Sequence, residues 1–482
     1  MRIKAFARSA VSGRTVVSIV LVSAVLTGAL PASAAAPANS IKKIINSRYP
    51  AGVDNGWVVF LDQQGVVAPG LRRFSQDANG VFTASGGVKL RTVGAGLAGN
   101  GAVFNVGGIT FAPCPTAAAP IRCGNSDFGS QGVGLAFGQT TFGGAGAAAA
   151  GWVNDYKLDA NFTDTDFNNP GSVDAVAVDQ TNGAFTAGRT LNTSTFRNHA
   201  ELMKLDSAGK TYRVVSRTDL GTFGGFTSQL SAISKNALYA VGQGDDAVAK
   251  AHAAYTLTGA PALIDITGGW PVSVLKSRAM AVSNTGFIAG SATEARLVNG
   301  VSHNVEIGFV YNTATQQVTF FEVPGADVIP FKVLDDGRVV GNLGVVKAPK
   351  ATGLTEFHPF MYDGTVHDFG TMQLAAAPAF SCRVNAANNL GEMAGTCIPD
   401  NATPFGIQGT PFFIDGAAPQ PAFINVNSML HANADSTNKS IKPYRFGNVT
   451  SIDDQHEITL IAVNNKTAAQ AAFIASKPAY NP

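Results

Sequence analysis

Residues 219–242 read DLGTFGGFTSQLSAISKNALYAVG, and versions of both halves of this stretch recur along most of the chain. The second half has an apolar start, a polar turn and an apolar strand that closes on Gly242. The same pattern is written as AVDQTNGAFTAG ending at Gly188, AVSNTGFIAG ending at Gly290, KVLDDGRVVG ending at Gly341 and AANNLGEMAG ending at Gly395. An early version, FSQDANGVFTAS, starts at Phe74, and a worn one, SIDDQHEITLIA, starts at Ser451 with His456 in place of the turn glycine. From Gly183 the turn positions run through Ala237, Gly286, Gly337 and Gly391 to His456, roughly 50 residues apart. The gap from Gly80 to Gly183 is about two such periods, which places a degenerate copy near residues 132–134 and gives about eight units.

Each unit continues with an aromatic and β-branched run: HAELMKL from His199, HAAYTL from His252, IGFVYN from Ile307, HPFMYD from His358, TPFFID from Thr410 and AAFIAS from Ala471. A short run closing on Gly or Asn follows, as in RTDLGTFGG, LIDITGG and VHDFGTM. Alternation, frequent Gly and Asn turns and the lack of a sustained 3.6-residue stripe point to short antiparallel strands with little helix. A period of this length holds four such strands, so the expected fold is all-β: a β-propeller of seven or eight four-stranded blades. An open strand edge invites association, and ring closure removes it. The segment GWVVFLD at 56–62 is expected to supply the closing strand by completing the blade begun at the C-terminus. A β-solenoid is the alternative, although its coils repeat at shorter periods.

The unit resembles the HAF repeat of bacterial extracellular proteins, which couples a DLGTLGG-like string, an A-x-x-I-N/S-x-x-G-x-x-V-G hairpin and a His-Ala-Phe strand. The match is best over residues 174–368; beyond it His358 is followed by Pro359, and the strand from Thr410 has no His. The resemblance implies an extracellular β-type repeat protein. It carries no catalytic residue with it, because that family is defined by its repeat and has no common activity.

The first residues carry Arg2, Lys4, Arg8 and Arg14, then an uncharged apolar run over 15–30, then small residues over 31–36. That is the layout of a signal peptide, here expected over 1–36 with cleavage near 34–36. The remainder, 37–482, reads as one repeat-built domain with insertions near 124–171 and 425–445. Removing the four basic leader residues turns a formal charge of +2 slightly negative. No basic patch remains, which argues against nucleic-acid binding through phosphate neutralisation. No later segment reads as a membrane anchor, so the expected location is secreted or periplasmic. Charged residues are only 14% of the chain while 53 residues are Gly, the mark of many tight turns between weakly charged strands. With 45% hydrophobic residues and 30 Phe, this is a core-forming rather than a disordered composition.

Four cysteines fall as two local pairs, Cys114 with Cys123 and Cys382 with Cys397, and export makes disulfides the expectation for both. In the acidic stretch LDANFTDTDFNNPG at 158–171, Asp159, Asn161, Thr163, Asp164 and Asp166 stand at near-alternate spacing. They could direct hard oxygens toward calcium, but the Gly and terminal Glu of an EF-hand loop are absent, and a solvated surface loop is the competing reading. His199, His252 and His358 occupy equivalent repeat positions, which argues for a structural role, such as a ring nitrogen bonding a turn carbonyl between blades. The non-repeated candidates are His303, His367 with Asp368, His431, and Asp453, Asp454, His456 and Glu457, the last group expected on an exposed hairpin. No GxSxG elbow or phosphate-binding loop is present. The sequence therefore favours a binding or surface-interaction module whose partner is an extracellular glycan, polymer or surface protein. The competing class is a secreted hydrolase or lyase of a polymer, with residues from several blades meeting in the channel.

Overall fold

The structure, a computed structural model, describes residues 41–46, 48–54, 57–62, 70–76, 82–88, 104–106, 109–111, 184–192 and 197–208, together with 211–477 except 235, 237, 299–300, 347–354, 376–377, 401–407 and 434–440. The leader at 1–36, Cys114, Cys123, the acidic stretch with Asp159, Asn161, Asp164 and Asp166, and the 124–171 insertion lie outside them.

The fold is all-β, built from four-stranded antiparallel sheets whose strands pair in chain order. The 224–265 sheet contains Gly224–Ile233, Tyr239–Asp246, Ala251–Leu257 and Ile264–Asp265. The 274–321 sheet contains Val274–Val282, Phe287–Val298, Val301–Asn312 and Gln317–Phe321. The 326–368 sheet contains Ala326–Val333, Val339–Val346, Thr355–Tyr362 and Val366–Asp368. The 381–425 sheet contains Ser381–Ala387, Glu392–Ile398, Thr410–Asp415 and Phe423–Asn425. Ahead of these lie the three-stranded 184–219 sheet and the four-stranded 48–88 sheet.

The final sheet corrects one expectation. Its strands Tyr444–Ile452, Ile458–Asn464 and Gln470–Ala475 are completed by Ile41–Asn46, which pairs antiparallel with Gln470–Ala475 in the register Ile41↔Ala475 and Asn46↔Ala471. Trp57–Asp62, within the segment expected to close this sheet, is instead the second strand of the 48–88 sheet, paired with Arg48–Asp54 and Gly70–Gln76. The early hairpin copy from Phe74 likewise joins the third and fourth strands of that sheet rather than the first and second. A Gly/Asn turn serves any hairpin, so turn chemistry alone did not fix its position in the unit.

The recurrent hairpin closes on glycine because a Cβ there would be crowded. The first strand of each unit carries a β-bulge, seen as register shifts between Leu230 and Ala232, Ala279 and Ala281, Pro330 and Lys332, and Val384 and Ala386. The bulge turns a carbonyl toward the second strand, where a Cβ on Gly242, Gly290, Gly341 or Gly395 would lie 1.9, 2.0, 2.3 and 2.0 Å from the oxygens of Gln229, Arg278, Ile329 and Arg383. On the other side Gly290, Gly341 and Gly395 stand directly opposite Phe309, Phe360 and Phe412, whose rings cover the bare backbone. All three rings are fully buried. The final sheet keeps the Phe but not the Gly: Leu460 stands opposite Phe473.

Successive sheets share their cores. Val241, Ala253 and Tyr255 of one sheet pack with Val274, Ile288, Ile307 and Phe309 of the next, and Ala281 and Ala289 with Val328, Leu343 and Phe360. At the final interface Ala394 and Phe413 pack with Phe446, Leu460 and Phe473, and Ile41 joins them. The 425–445 segment, read from sequence as a polar insertion, contains the helix Val426–Asn433, whose Val426 and Leu430 are buried in this same cluster. Among the described residues no helix is long and apolar enough to cross a membrane.

Candidate functional site

The repeated histidines are clasps within one sheet, not links between sheets. His199 Nδ1 lies 2.9–3.0 Å from the Asp219 carboxylate, His252 Nδ1 is 2.8 Å from Asp265, and His358 Nδ1 is 3.0–3.1 Å from Asp368. Each Asp also caps the following turn, accepting from the amides of Gly221, Thr267 and Gly370 at 2.7–2.8 Å. The Asp of the DLG-like string and the His of the HAF-like strand thus form one unit, which explains why the two motifs recur together. At His358, the Asp368 hydrogen bond, aided by Glu356 at 2.9 Å from Nε2, outweighs burial and raises the imidazole above its usual range. Burial works against the Asp368 carboxylate, but the His358 bond prevails and holds it below the ordinary value. The neighbouring His367 pairs with Asp363 at 2.9 Å instead. His431 Nε2 is 2.9 Å from the Tyr444 carbonyl. His303 lies on the strand opposite Arg296.

Contacts between sheets come from first-strand serines and from the hairpin turns. Ser228 and Ser277 accept from the amides of Ala200 and Ala253, the residues after His199 and His252, at 2.8 and 2.9 Å. After His358 the amide is lost to Pro359, and Ser381 takes the bond from Phe357 instead, at 2.7 Å. In the turns, the amide of Asn236 donates to Asn284 Oδ1, that of Asn284 to Asp335 Oδ1, and that of Asn389 to Asp454 Oδ1, at 2.8–2.9 Å. The turn glycines Gly286, Gly337 and Gly391 have φ of 85°, 90° and 87°. Across them lie Tyr239, the Phe287 ring and Arg338 of the preceding sheet.

At the final joint the pattern changes chemistry. His456 occupies the glycine position with φ 62°, and its Nδ1 lies 2.8 Å from both oxygens of Glu392 on the preceding sheet. Glu392 is buried and also accepts from Asn388 Nδ2 and Lys477 Nζ, both at 2.6 Å, while Lys477 reaches Asp415 at 3.1 Å. Burial alone would lower the Lys477 ammonium, but Glu392 and Asp415 raise it instead. The hairpin is not the exposed tip expected from sequence, since the turn 388–391 of the neighbouring sheet covers it. Asp453 and Glu457 are buried, Asp453 Oδ1 caps the turn amides of Gln455 and Glu457, and its carbonyl accepts from Asn388. Glu392, which holds His456, stands too far away in sequence for local spacing to reveal the pair.

A cavity of about 300 Å³ opens on the 274–321 sheet, lined by Pro271, Val274, Glu294, Arg296, Ile307, Phe320, Phe321 and Glu322. It lies against the hairpin Phe287–Val298/Val301–Asn312, whose strands have 12 residues each, against 8 in both Tyr239–Asp246 and Val339–Val346. The extra length brings Glu294 and Arg296, two positions apart and so on one face of the strand, beside Glu322. Arg296 Nη2 bridges Glu294 and Glu322, 2.5 Å from each, and Nε reaches Glu294 at 2.7 Å. Ser273 donates to the other oxygen of Glu294 at 2.7 Å. That hydroxyl, followed by Arg296, holds the Glu294 carboxyl below its usual range, and Glu322 followed by Glu294 raises the Arg296 guanidinium. Trp270 sits edge-on to Phe309 and to the lining residue Phe320, with centroids 4.9 and 5.0 Å apart. None of these lining residues was read as a site residue from sequence, and the ordinary spacing from Gly286 to Gly337 hides the longer hairpin. Cys382 and Cys397, which were so read, face each other across adjacent strands and are bridged.

No family model matches this chain, nor does any curated protein sequence. Among solved structures, an acylaminoacyl peptidase of Pyrococcus horikoshii is similar over 59% of this chain and 42% of its own, at 7% identity and a TM-score of 0.36. A prolyl endopeptidase is similar over 63% of this chain and 41% of its own, at 11% identity and TM-score 0.37. A putative TolB of Agrobacterium tumefaciens is similar over 51% of this chain and 81% of its own, at 12% identity and TM-score 0.30. The chain spans less than half the length of the two peptidases, and likenesses at these scores assign it no activity.

Proposed function

We propose that this chain is an exported β-propeller of HAF-repeat type, with seven or eight sheets closed through Ile41–Asn46, that works as a binding or surface-interaction module for an extracellular glycan, polymer or surface protein. The pairing of Ile41–Asn46 with Gln470–Ala475 and the cores shared between successive sheets support the ring. The observation that carries the binding reading is the state of the charges at the cavity. Arg296 is locked between Glu294 and Glu322, and Glu294 is held ionised by Ser273 and Arg296. Fixed ion pairs suit recognition, whereas general acid/base work needs a group poised to exchange a proton near the working pH. The test is retention of the purified protein on immobilised glycans, polyesters and cell-surface extracts, alongside assays for their breakdown. Retention without turnover is the expected result, and turnover lost in a cavity variant would overturn the reading.

The alternative, a secreted hydrolase or lyase of a polymer, is favoured by one observation. A buried carboxylate, Glu392, holds Nδ1 of the half-exposed His456, the arrangement that orients an imidazole as a general base. On that reading His456→Ala abolishes polymer breakdown.

A further inference from the structure

We infer that the cavity beside Glu294, Arg296 and Glu322 is a subsite for an organic cation, an alkyl- or arylalkylammonium group with an apolar body. This deepens the binding reading above and rests on it.

Two features of the cavity select that chemistry. Its floor is apolar and aromatic, with Val274, Ile307, Phe320 and Phe321. Its charged edge is unbalanced, because two carboxylates face a single guanidinium and leave one negative charge. The division of labour between the carboxylates places that charge. Both oxygens of Glu294 are engaged, Oε1 by Ser273 and Oε2 by Arg296, whereas the half-exposed Glu322 meets Arg296 through Oε2. Glu322 is therefore the group that a second cation would approach.

An anion would meet the excess negative charge, and Arg296 is already spent on two partners. A bare metal ion would find an apolar floor where it needs oxygen ligands. An ammonium group on a hydrocarbon body satisfies both halves: the body covers the floor around Phe320, the charge reaches Glu322, and an aromatic face adds cation–π attraction. A volume near 300 Å³ is at the small end of ligand pockets, suited to one such group rather than to an extended polymer segment.

The test uses the purified protein and three probes of similar shape and different charge: 2-phenylethylammonium, 2-phenylethanol and 3-phenylpropionate, followed by saturation-transfer NMR and calorimetry at neutral pH. The ammonium should bind about tenfold more tightly than the alcohol, the scale of one hydrogen bond to a charged group, and the carboxylate weakest. Glu322→Gln should remove that preference while leaving the melting curve unchanged. If the alcohol binds as well as the ammonium, or if Glu322→Gln keeps the preference, the cation assignment is overturned and the cavity remains a binding site. If none of the three probes binds to protein with an intact melt, the cavity reading itself fails.

Discussion

Two joints between neighbouring sheets use the same backbone and opposite chemistry. At the joint of the 326–368 and 381–425 sheets, Gly391 leaves room for the Arg338 side chain to lie across the turn. At the next joint a histidine fills that room, and the residue facing it is the buried Glu392, tied also to Lys477 and Asn388. The first joint is held by shape, through a bare backbone under a neighbour's side chain. The second is held by charge, and it is also the sheet where residues 41–46 meet residues 470–475. A repeat can thus keep its fold while one interface changes what holds it.

The comparison can be broken hardest from the side of shape. A side chain at Gly395 would put Cβ 2.0 Å from the Arg383 carbonyl and 2.9 Å from the Phe412 ring, so Gly395→Val should cost about 3 kcal/mol or more, read as loss of the cooperative melt. On the side of charge, Glu392→Ala removes a buried acceptor of three donors. Because His456 and Lys477 are partly exposed and can turn to water, the loss should be about 2–3 kcal/mol, below the full figure for stranding a buried ion. Hydrogen exchange confined to strands 444–475 would localise it, and exchange rising equally in the 274–321 sheet would refute the local role.

The clasp at His358 makes a smaller, pH-dependent contribution. Its folded value lies above the unfolded one, so its stabilisation is complete below about pH 6.5 and is lost as pH rises through the folded value. Asp368 has the opposite sign: its contribution is present above about pH 4 and disappears on acidification. Exchange protection of Thr355–Tyr362 should therefore fall as the pH is raised above about 6.5, and His358→Gln should flatten the profile. The smallest effect is expected of His456→Gly. It relieves a left-handed backbone worth about 1 kcal/mol while forfeiting the hydrogen bonding to Glu392, and because these oppose each other the melt should move by less than about 1 kcal/mol. A large loss would mean that the imidazole, rather than Lys477, secures Glu392.

The parts of this architecture that were readable in the chain are those whose physics is local. A polar turn, a left-handed glycine and an aromatic opposite a bare backbone leave marks close together in the chain, and the hairpins closing on Gly290, Gly341 and Gly395 carry all three. Strand pairing across the whole chain leaves no such mark: Trp57–Asp62 and Ile41–Asn46 both contain apolar runs, and only the register with Gln470–Ala475 tells them apart. The clasp partner of the repeated histidines was legible in principle, since the Asp of the DLG-like string recurs with them. The charges around the cavity were not, because Glu322 reaches Arg296 only after the hairpin has folded back.

The pairing of Ile41–Asn46 with Gln470–Ala475 also sets an order of events. Local hairpins can form as soon as their own residues are available, but this ladder joins segments separated by nearly the entire polypeptide, a loop whose closure entropy has to be met before the contact returns anything. Until then the Gln470–Ala475 strand keeps one row of backbone groups unsatisfied. A chain that stalls between the two segments lacks Gln470–Ala475 altogether and leaves Ile41–Asn46 without its partner strand, an edge free to pair with other chains, so resistance to aggregation depends on synthesis passing residue 475.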